Sequence, residues 1–366
     1  MLVHRTKLLA WAAILLFVLC SCAGSTESLG LFGESRLESV LGQDGVSPIP
    51  FNDSLTMWTF GDTILGKWKG EVSASATFSE RADANAMISN SLAFTPAITG
   101  ENIRSLHFTF HRENGRVAQF LKLKPGERPE RDRLWAVDGL RTGDRVFVYY
   151  LRIRITDPGK PFGFRMDGVG LARWSVPIAW SPGKPVEFIR LPDVFPGTSP
   201  AFGACVIERM GTVYTVGQFV DGSGVSRVKI ARAPIDGIED RRAYTFLAGD
   251  GSWTGIMEKA HGFLEGVAGE CSLSYNENTG GYILLYCRIG TGEIVMVTFG
   301  DFAELHTARG QTVYAPPALP SDAGDRHAWY YSGKEIFSEG RDLYAIYMHP
   351  IEYQPQLIKI RLPHPR

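Results

Sequence analysis

Val146-Phe147-Val148-Tyr149-Tyr150 reads as a β-strand, β-branched and aromatic throughout, and it has counterparts further along the chain. These are Val213-Tyr214-Thr215-Val216-Gly217, Tyr282-Ile283-Leu284-Leu285-Tyr286 and Leu343-Tyr344-Ala345-Ile346-Tyr347. Each follows a hairpin turn, and before the turn comes a first strand approached from a loop with a polar or acidic residue. Four or five such units between Leu41 and Arg361 suggest radial repetition. The expected fold is therefore all-β, a five-bladed β-propeller, an arrangement that leaves only short, protected sheet edges. A β-sandwich with insertions is the structural alternative.

The rest of the chain is consistent with that reading. Strands are expected at 55–60, 89–94, 145–155, 170–174, 204–208, 213–218, 227–233, 271–275, 282–287, 294–299, 343–348 and 356–361. Glycine-bearing turns separate them at Thr142-Gly143-Asp144, Asp221-Gly222, Asn278-Thr279-Gly280-Gly281 and Ser338-Glu339-Gly340. No long amphipathic helix interrupts the pattern. The 38 basic residues balance 39 acidic ones, so no basic excess points to a nucleic-acid partner.

The N-terminus reads as an export signal. His4, Arg5 and Lys7 precede an apolar run from Leu8 to Leu19, too short to span a bilayer comfortably. The run ends in Leu19-Cys20-Ser21-Cys22-Ala23-Gly24, which resembles a bacterial lipoprotein box with Cys22 as the acylated residue. The alternative is an ordinary secretory signal cleaved nearby. The expected organisation is a signal peptide at 1–21, a flexible tether at 22–40 and the propeller at 41–364. The expected location is the cell envelope, with a lipid anchor in the membrane and a monomeric domain outside it. Cys271 and Cys287 flank a hairpin and could bridge across it, or they are buried free thiols. No cofactor is expected: no His or Cys spacing resembles a metal site, and a Ca²⁺ ion on an axial channel is not indicated.

The chemistry-bearing candidates are acidic. Leu55-Thr56-Met57-Trp58-Thr59-Phe60 runs straight into Gly61-Asp62-Thr63, which puts a carboxylate at the end of a buried strand. Asp44 stands upstream in a glycine-bounded turn. Glu270 follows Gly266-Val267-Ala268-Gly269 and precedes an alternating Ser-Leu-Ser-Tyr strand. Asp138 lies in Trp135-Ala136-Val137-Asp138-Gly139. No Gly-x-Ser-x-Gly elbow, phosphate loop or His-Glu-x-x-His motif accompanies them.

Asp44-Gly45, Trp58-x-Phe60-Gly61-Asp62-Thr63, Ser89-Asn90-Ser91 and Trp135-x-x-Asp138-Gly139 resemble the opening of a secreted bacterial propeller family. That family was long catalogued only as a domain of unknown function, and some of its members are endo-D-arabinanases. Phe202-Gly203-Ala204, Gly269-Glu270-Cys271-Ser272 and Tyr331-Ser332-Gly333-Lys334 resemble its later signatures, so the likeness extends from about Gln43 to Ile360. The resemblance implies a glycoside hydrolase that acts on an arabinan or related polysaccharide through paired carboxyl groups.

On that reading Asp44 or Asp62 activates water, and Glu270, in apolar surroundings, protonates the leaving oxygen. Asp138 orients a sugar hydroxyl or the acid, and Asn90 and Lys334 bind hydroxyls. One or two of Trp58, Trp135, Trp253 and Tyr331 stack on a sugar face. The bland alternatives are turn-capping aspartates, a turn amide, a solvated lysine and core tryptophans. The rival function is a non-catalytic glycan-binding or structural lipoprotein of the cell envelope.

Overall fold

The computed structural model describes residues 25–33, 39–70, 78–160, 162–197, 200–319 and 329–363. Over these residues the chain is all-β. It opens with β1 (Thr26–Leu31) and β2 (Val40–Gln43), followed by β3 (Ser47–Asn52), β4 (Leu55–Phe60), β5 (Thr63–Trp68) and β6 (Ala82–Ile88). Next come β7 (Ser91–Pro96), β8 (Thr109–Phe110), β9 (Arg112–Glu113) and β10 (Arg116–Val117). β3, β4, β7 and β8 pair as the first large sheet. β2, β5 and β6 form a separate three-stranded sheet, and β9 pairs with β10.

The second large sheet holds β11 (Asp132–Thr142), β12 (Arg145–Ile155), β13 (Phe164–Ser175), β14 (Ile189–Arg190) and β15 (Phe195–Pro196). The third runs through β16 (Ala201–Arg209), β17 (Thr212–Val220), β18 (Ser226–Pro234), β19 (Thr245–Leu247) and β20 (Trp253–Thr254). The fourth contains β21 (Val267–Asn276), β22 (Gly281–Arg288), β23 (Ile294–Phe299) and β24 (Gln311–Tyr314). The fifth contains β25 (Tyr331–Glu339), β26 (Asp342–His349) and β27 (Gln354–Arg361). Its outer place is taken by β1, antiparallel to β27, with Thr26 opposite Ile360.

The middle strands show why the sequence folds this way. Side chains alternate across a strand, so successive residues serve opposite faces. In β12, Val146, Val148 and Tyr150 join a core shared with the first sheet, whereas Phe147 and Tyr149 join a core shared with the third. In β22, Tyr282, Leu284 and Tyr286 face the third sheet, and Ile283, Leu285 and Cys287 face the fifth. In β26, Tyr344, Ile346 and Met348 pack against Trp58 and Phe60 of the first sheet. Both faces are dry, which is why these strands read as continuous apolar runs. Each apolar core thus lies between two consecutive sheets, and the fifth sheet packs back on the first.

Side chains also join the innermost strands. The Ser47 hydroxyl donates to the Val137 carbonyl, and Asp138 accepts from Val206 N–H at 2.7 Å. Cys205 and Cys271 bring their sulfurs to 3.7 Å. Glu335 N–H donates to Ser272 Oγ at 2.7 Å, and Lys334 Nζ donates to Ser47 Oγ at 2.8 Å, returning to the first sheet.

Two expectations are corrected here. Thr26–Leu31, inside the segment expected as a tether at 22–40, is a strand that completes the fifth sheet. Its backbone donors and acceptors find partners on β27, and that pairing overrides a weak, glycine- and serine-bearing local sequence. A Cys271–Cys287 bridge is also ruled out. Cys271 faces the core between the third and fourth sheets and Cys287 the next core round; both are buried free thiols, as is Cys205. The signal peptide at 1–21 and Cys22 lie outside the described residues.

Candidate active site

Asp44 and Asp62 sit where the chain crosses between the first large sheet and the three-stranded one. Asp44 lies between β2 and β3, and Asp62 between β4 and β5. The two crossings are tied backbone to backbone: Gly61 N–H donates to the Asp44 carbonyl at 2.8 Å, and Asp44 N–H to the Asp62 carbonyl at 3.3 Å. A side chain at Gly61 would start 2.6 Å from Asp44 Oδ1, so only glycine lets the carboxylate lie there.

The Asp44 carboxyl is clamped by two phenols. Tyr353 and Tyr331 donate to the same oxygen, Oδ2, at 2.8 Å and 3.2 Å. Those bonds favour the charged form, yet burial together with the nearby charges of Asp62 and Glu270 outweighs them and pushes Asp44 up to about 8. Asp62 differs: burial raises it to about 6, held back by the Trp135 indole N–H at 2.9 Å and by the charge of Arg133. Burial thus favours the protonated form of both carboxyls, and of Asp44 more than of Asp62.

The other large sheets bring their groups in at irregular points of their innermost strands. Register breaks fall between Ala136 and Gly139 in β11, Phe202 and Cys205 in β16, Val267 and Cys271 in β21, and Tyr331 and Lys334 in β25. Such bulges bend a strand and re-aim a side chain. Asp138 sits in the first of them. Burial pushes it up to about 7 against the pull of Lys334 and of two backbone N–H donors, Gly139 at 2.8 Å and Val206. With each carboxyl oxygen taken by an amide, Asp138 staples β11 to β16 and sits near Glu270 and Lys334.

Glu270 occupies the bulge of β21, behind Gly269, whose φ of +64° leaves open space on its Cβ side. Its carboxylate forms an ion pair with the buried Lys334 ammonium. Its closest partner is therefore a cation rather than the apolar surroundings the sequence suggested. Lys334 is only 3% exposed, not a solvated surface charge, and bridges Glu270 to Ser47.

Asp44, Asp62, Asp138, Glu270, Trp135, Tyr331 and Lys334 thus form one linked cluster. Asn90 does not belong to it. Its amide is fully buried, accepts from the Phe120 and Leu121 N–H groups and donates to the Leu134 carbonyl, so it has nothing left for a sugar hydroxyl. Trp58 is a core residue whose indole N–H bonds Thr95, and Trp253 packs on Tyr214 and Phe302. Sequence reasoning missed Tyr353. Its φ of +51° is unusual for a bulky residue and was invisible without the backbone. Among the described residues, no group of three or more His, Cys, Asp or Glu is arranged to hold a metal ion.

The fold has solved counterparts. A "putative hydrolase" from Bacteroides ovatus superposes with a TM-score of 0.64 at 16% identity, covering 91% of this chain and 87% of that one. A family 117 glycoside hydrolase of the marine bacterium Zobellia galactanivorans gives 0.51 at 10% identity, with 93% and 92% covered. A GH43_1 enzyme of Xanthomonas citri complexed with xylotriose gives 0.51 at 13% identity, with 92% and 90% covered. At such identities the likeness concerns fold alone: this is an all-β chain built like propeller-type glycoside hydrolases. No curated protein matches it in sequence. The family described as domain of unknown function DUF4185 matches residues 177–361, and the chain belongs to that family. The match takes in the last three large sheets and not the opening motif at 44–63.

Proposed function

We propose that the chain is a five-bladed β-propeller glycoside hydrolase acting on an arabinan or related polysaccharide. The five large sheets are its blades, a reading supported by cores shared between each sheet and the next, and between the fifth and the first. The observation that carries the functional reading is the state of Asp44: half-buried, clamped on one oxygen, facing two other carboxylates and pushed up to about 8. Carboxyl groups whose environments hold them apart are how a hydrolase keeps an acid and a base at the same pH. Asp44 gives its proton to the leaving glycosidic oxygen, and ionised Asp62 activates water or attacks the anomeric carbon. Glu270, paired with Lys334, keeps negative charge beside Asp44. The N-terminal pattern supports a lipid on Cys22 and a working place at the cell envelope.

The test is hydrolysis of arabinan, scored by new reducing ends. Asp44→Asn should lower kcat at least ~100-fold, the size expected on losing a general acid. Full activity in both Asp44→Asn and Asp62→Asn, or no cleavage of any wall polysaccharide by the wild type, overturns the reading. One observation favours glycan capture without cleavage, namely that Lys334 already occupies Glu270. Tight binding with no new reducing ends would select that alternative.

A further inference from the structure

A row of aromatic rings leads away from the acid cluster. Trp135, whose indole N–H holds Asp62, meets Phe164 edge to face at 4.8 Å. Phe164 lies 6.3 Å from Phe162, and Phe162 stacks on Trp329 at 5.7 Å with planes 14° apart. Phe162 stands at the tip of the β12–β13 connection, and Trp329 comes just before β25. Loops of the second and fifth large sheets, which share no core, therefore meet ring on ring.

Two properties of Phe162 are hard to assign to folding. Its side chain is 63% exposed, so its burial contributes little. Its φ of +57° is a conformation that costs a bulky non-glycine residue on the order of 1–2 kcal/mol. A strained residue that presents an aromatic face to water, continuous through Phe164 and Trp135 with the carboxyl cluster, is a recognition element. The occupant that fits is a sugar chain, because a sugar ring has an apolar face that stacks on aromatics while its hydroxyls stay wet. A single sugar at Asp62 would reach Trp135 and leave the outer rings unused.

We propose that Trp135, Phe164, Phe162 and Trp329 form a stacking ledge that binds several consecutive sugars of a polysaccharide running outward from the carboxyl cluster. This rests on the reading of that cluster as a glycan-cleaving site and adds that the enzyme works on long chains, gripping them beyond the cleavage point.

The experiment uses the full chain with linear arabino- and xylo-oligosaccharides of two to eight sugars, measuring binding by calorimetry and cleavage by product analysis. Phe162→Ala and Trp329→Ala should each weaken binding, or raise KM, about 3- to 10-fold for the longer oligosaccharides. The disaccharide and kcat should change little, and Phe162→Tyr should restore the wild-type length dependence. Phe162 is largely exposed, so its truncation leaves the fold intact, and an unchanged Tm would show this. Cleavage with no length dependence, or with KM unmoved in both variants, overturns the ledge and leaves the hydrolase standing. Length-dependent binding without cleavage, lost in the ring variants, upholds the ledge and overturns the hydrolase. Binding of no oligosaccharide overturns both.

Discussion

At the scale of single residues, the site depends on Asp44 keeping its proton. In the folded chain it lies at about 8, against an ordinary value of 3.8, so the fold binds that proton more tightly than the unfolded chain does. The resulting stabilisation is complete below pH ~4 and is lost as pH rises through 8. Asp44→Asn should therefore raise Tm over wild type at pH 8 and hardly at all at pH 4, by roughly 2–4 °C for each kcal/mol relieved. Scanning calorimetry at the two pH values decides this; a larger gain at pH 4 would contradict the assignment. Tyr353→Phe removes a donor that favours the carboxylate, so the alkaline limb of the kcat/KM profile should move upward. Glu270→Gln removes a like charge and should move the limb downward. Asp44, Asp62, Asp138 and Glu270 could be found from sequence because each sits beside glycine, Asp62 and Glu270 at the ends of expected strands. Tyr353 could not, and Lys334, expected to bind a hydroxyl, could not be read as the partner of Glu270, because only the assembled structure sets it against a carboxylate from another sheet.

At the scale of elements, middle strands were legible, and innermost ones only in part: β16 and β21 were expected over their regular stretches, β3, β11 and β25 were not. β12 and β23 fall at their expected bounds because β-branched, aromatic and other apolar side chains fill both faces over most of their length. β3 escaped notice because Pro48 and Pro50 argue against a strand. It tolerates them since it pairs with β4 alone and leaves its other edge free of a ladder. β11 and β25 were hidden by the bulges that deliver Asp138 and Lys334, so the local irregularity that serves the site also erases the period-2 signal. β1 was taken for tether. If it instead seals the fifth sheet, a chain starting at residue 32 should have a lower Tm and aggregate through the bared edge of β27. Equal Tm and a monomeric gel-filtration profile would show the seal to be dispensable.

At the scale of the whole molecule, the sequence announced strand-rich units, and the packing adds that no unit owns a core of its own. The molecule should therefore unfold in one cooperative step. Val148→Ala, between the first and second sheets, and Ile283→Ala, between the fourth and fifth, should shift one shared calorimetric transition rather than split it. The loss is roughly 2–5 kcal/mol for Ile283→Ala and less for the smaller Val148. Two resolved transitions in either variant would break the picture. The pairing of β1 with β27 also governs how fast the native state is reached. Thr26 must find Ile360 across nearly the whole chain. Closing so long a loop costs roughly 4 kcal/mol more than closing a tight hairpin, since the penalty grows with the logarithm of loop length. Early synthesis products cannot complete the last sheet, and the first strand waits as an unpaired edge until the final one arrives. Refolding should thus end in a slow, sequence-distant closure step, with the exposed opening strand the point of greatest risk for self-association before that step.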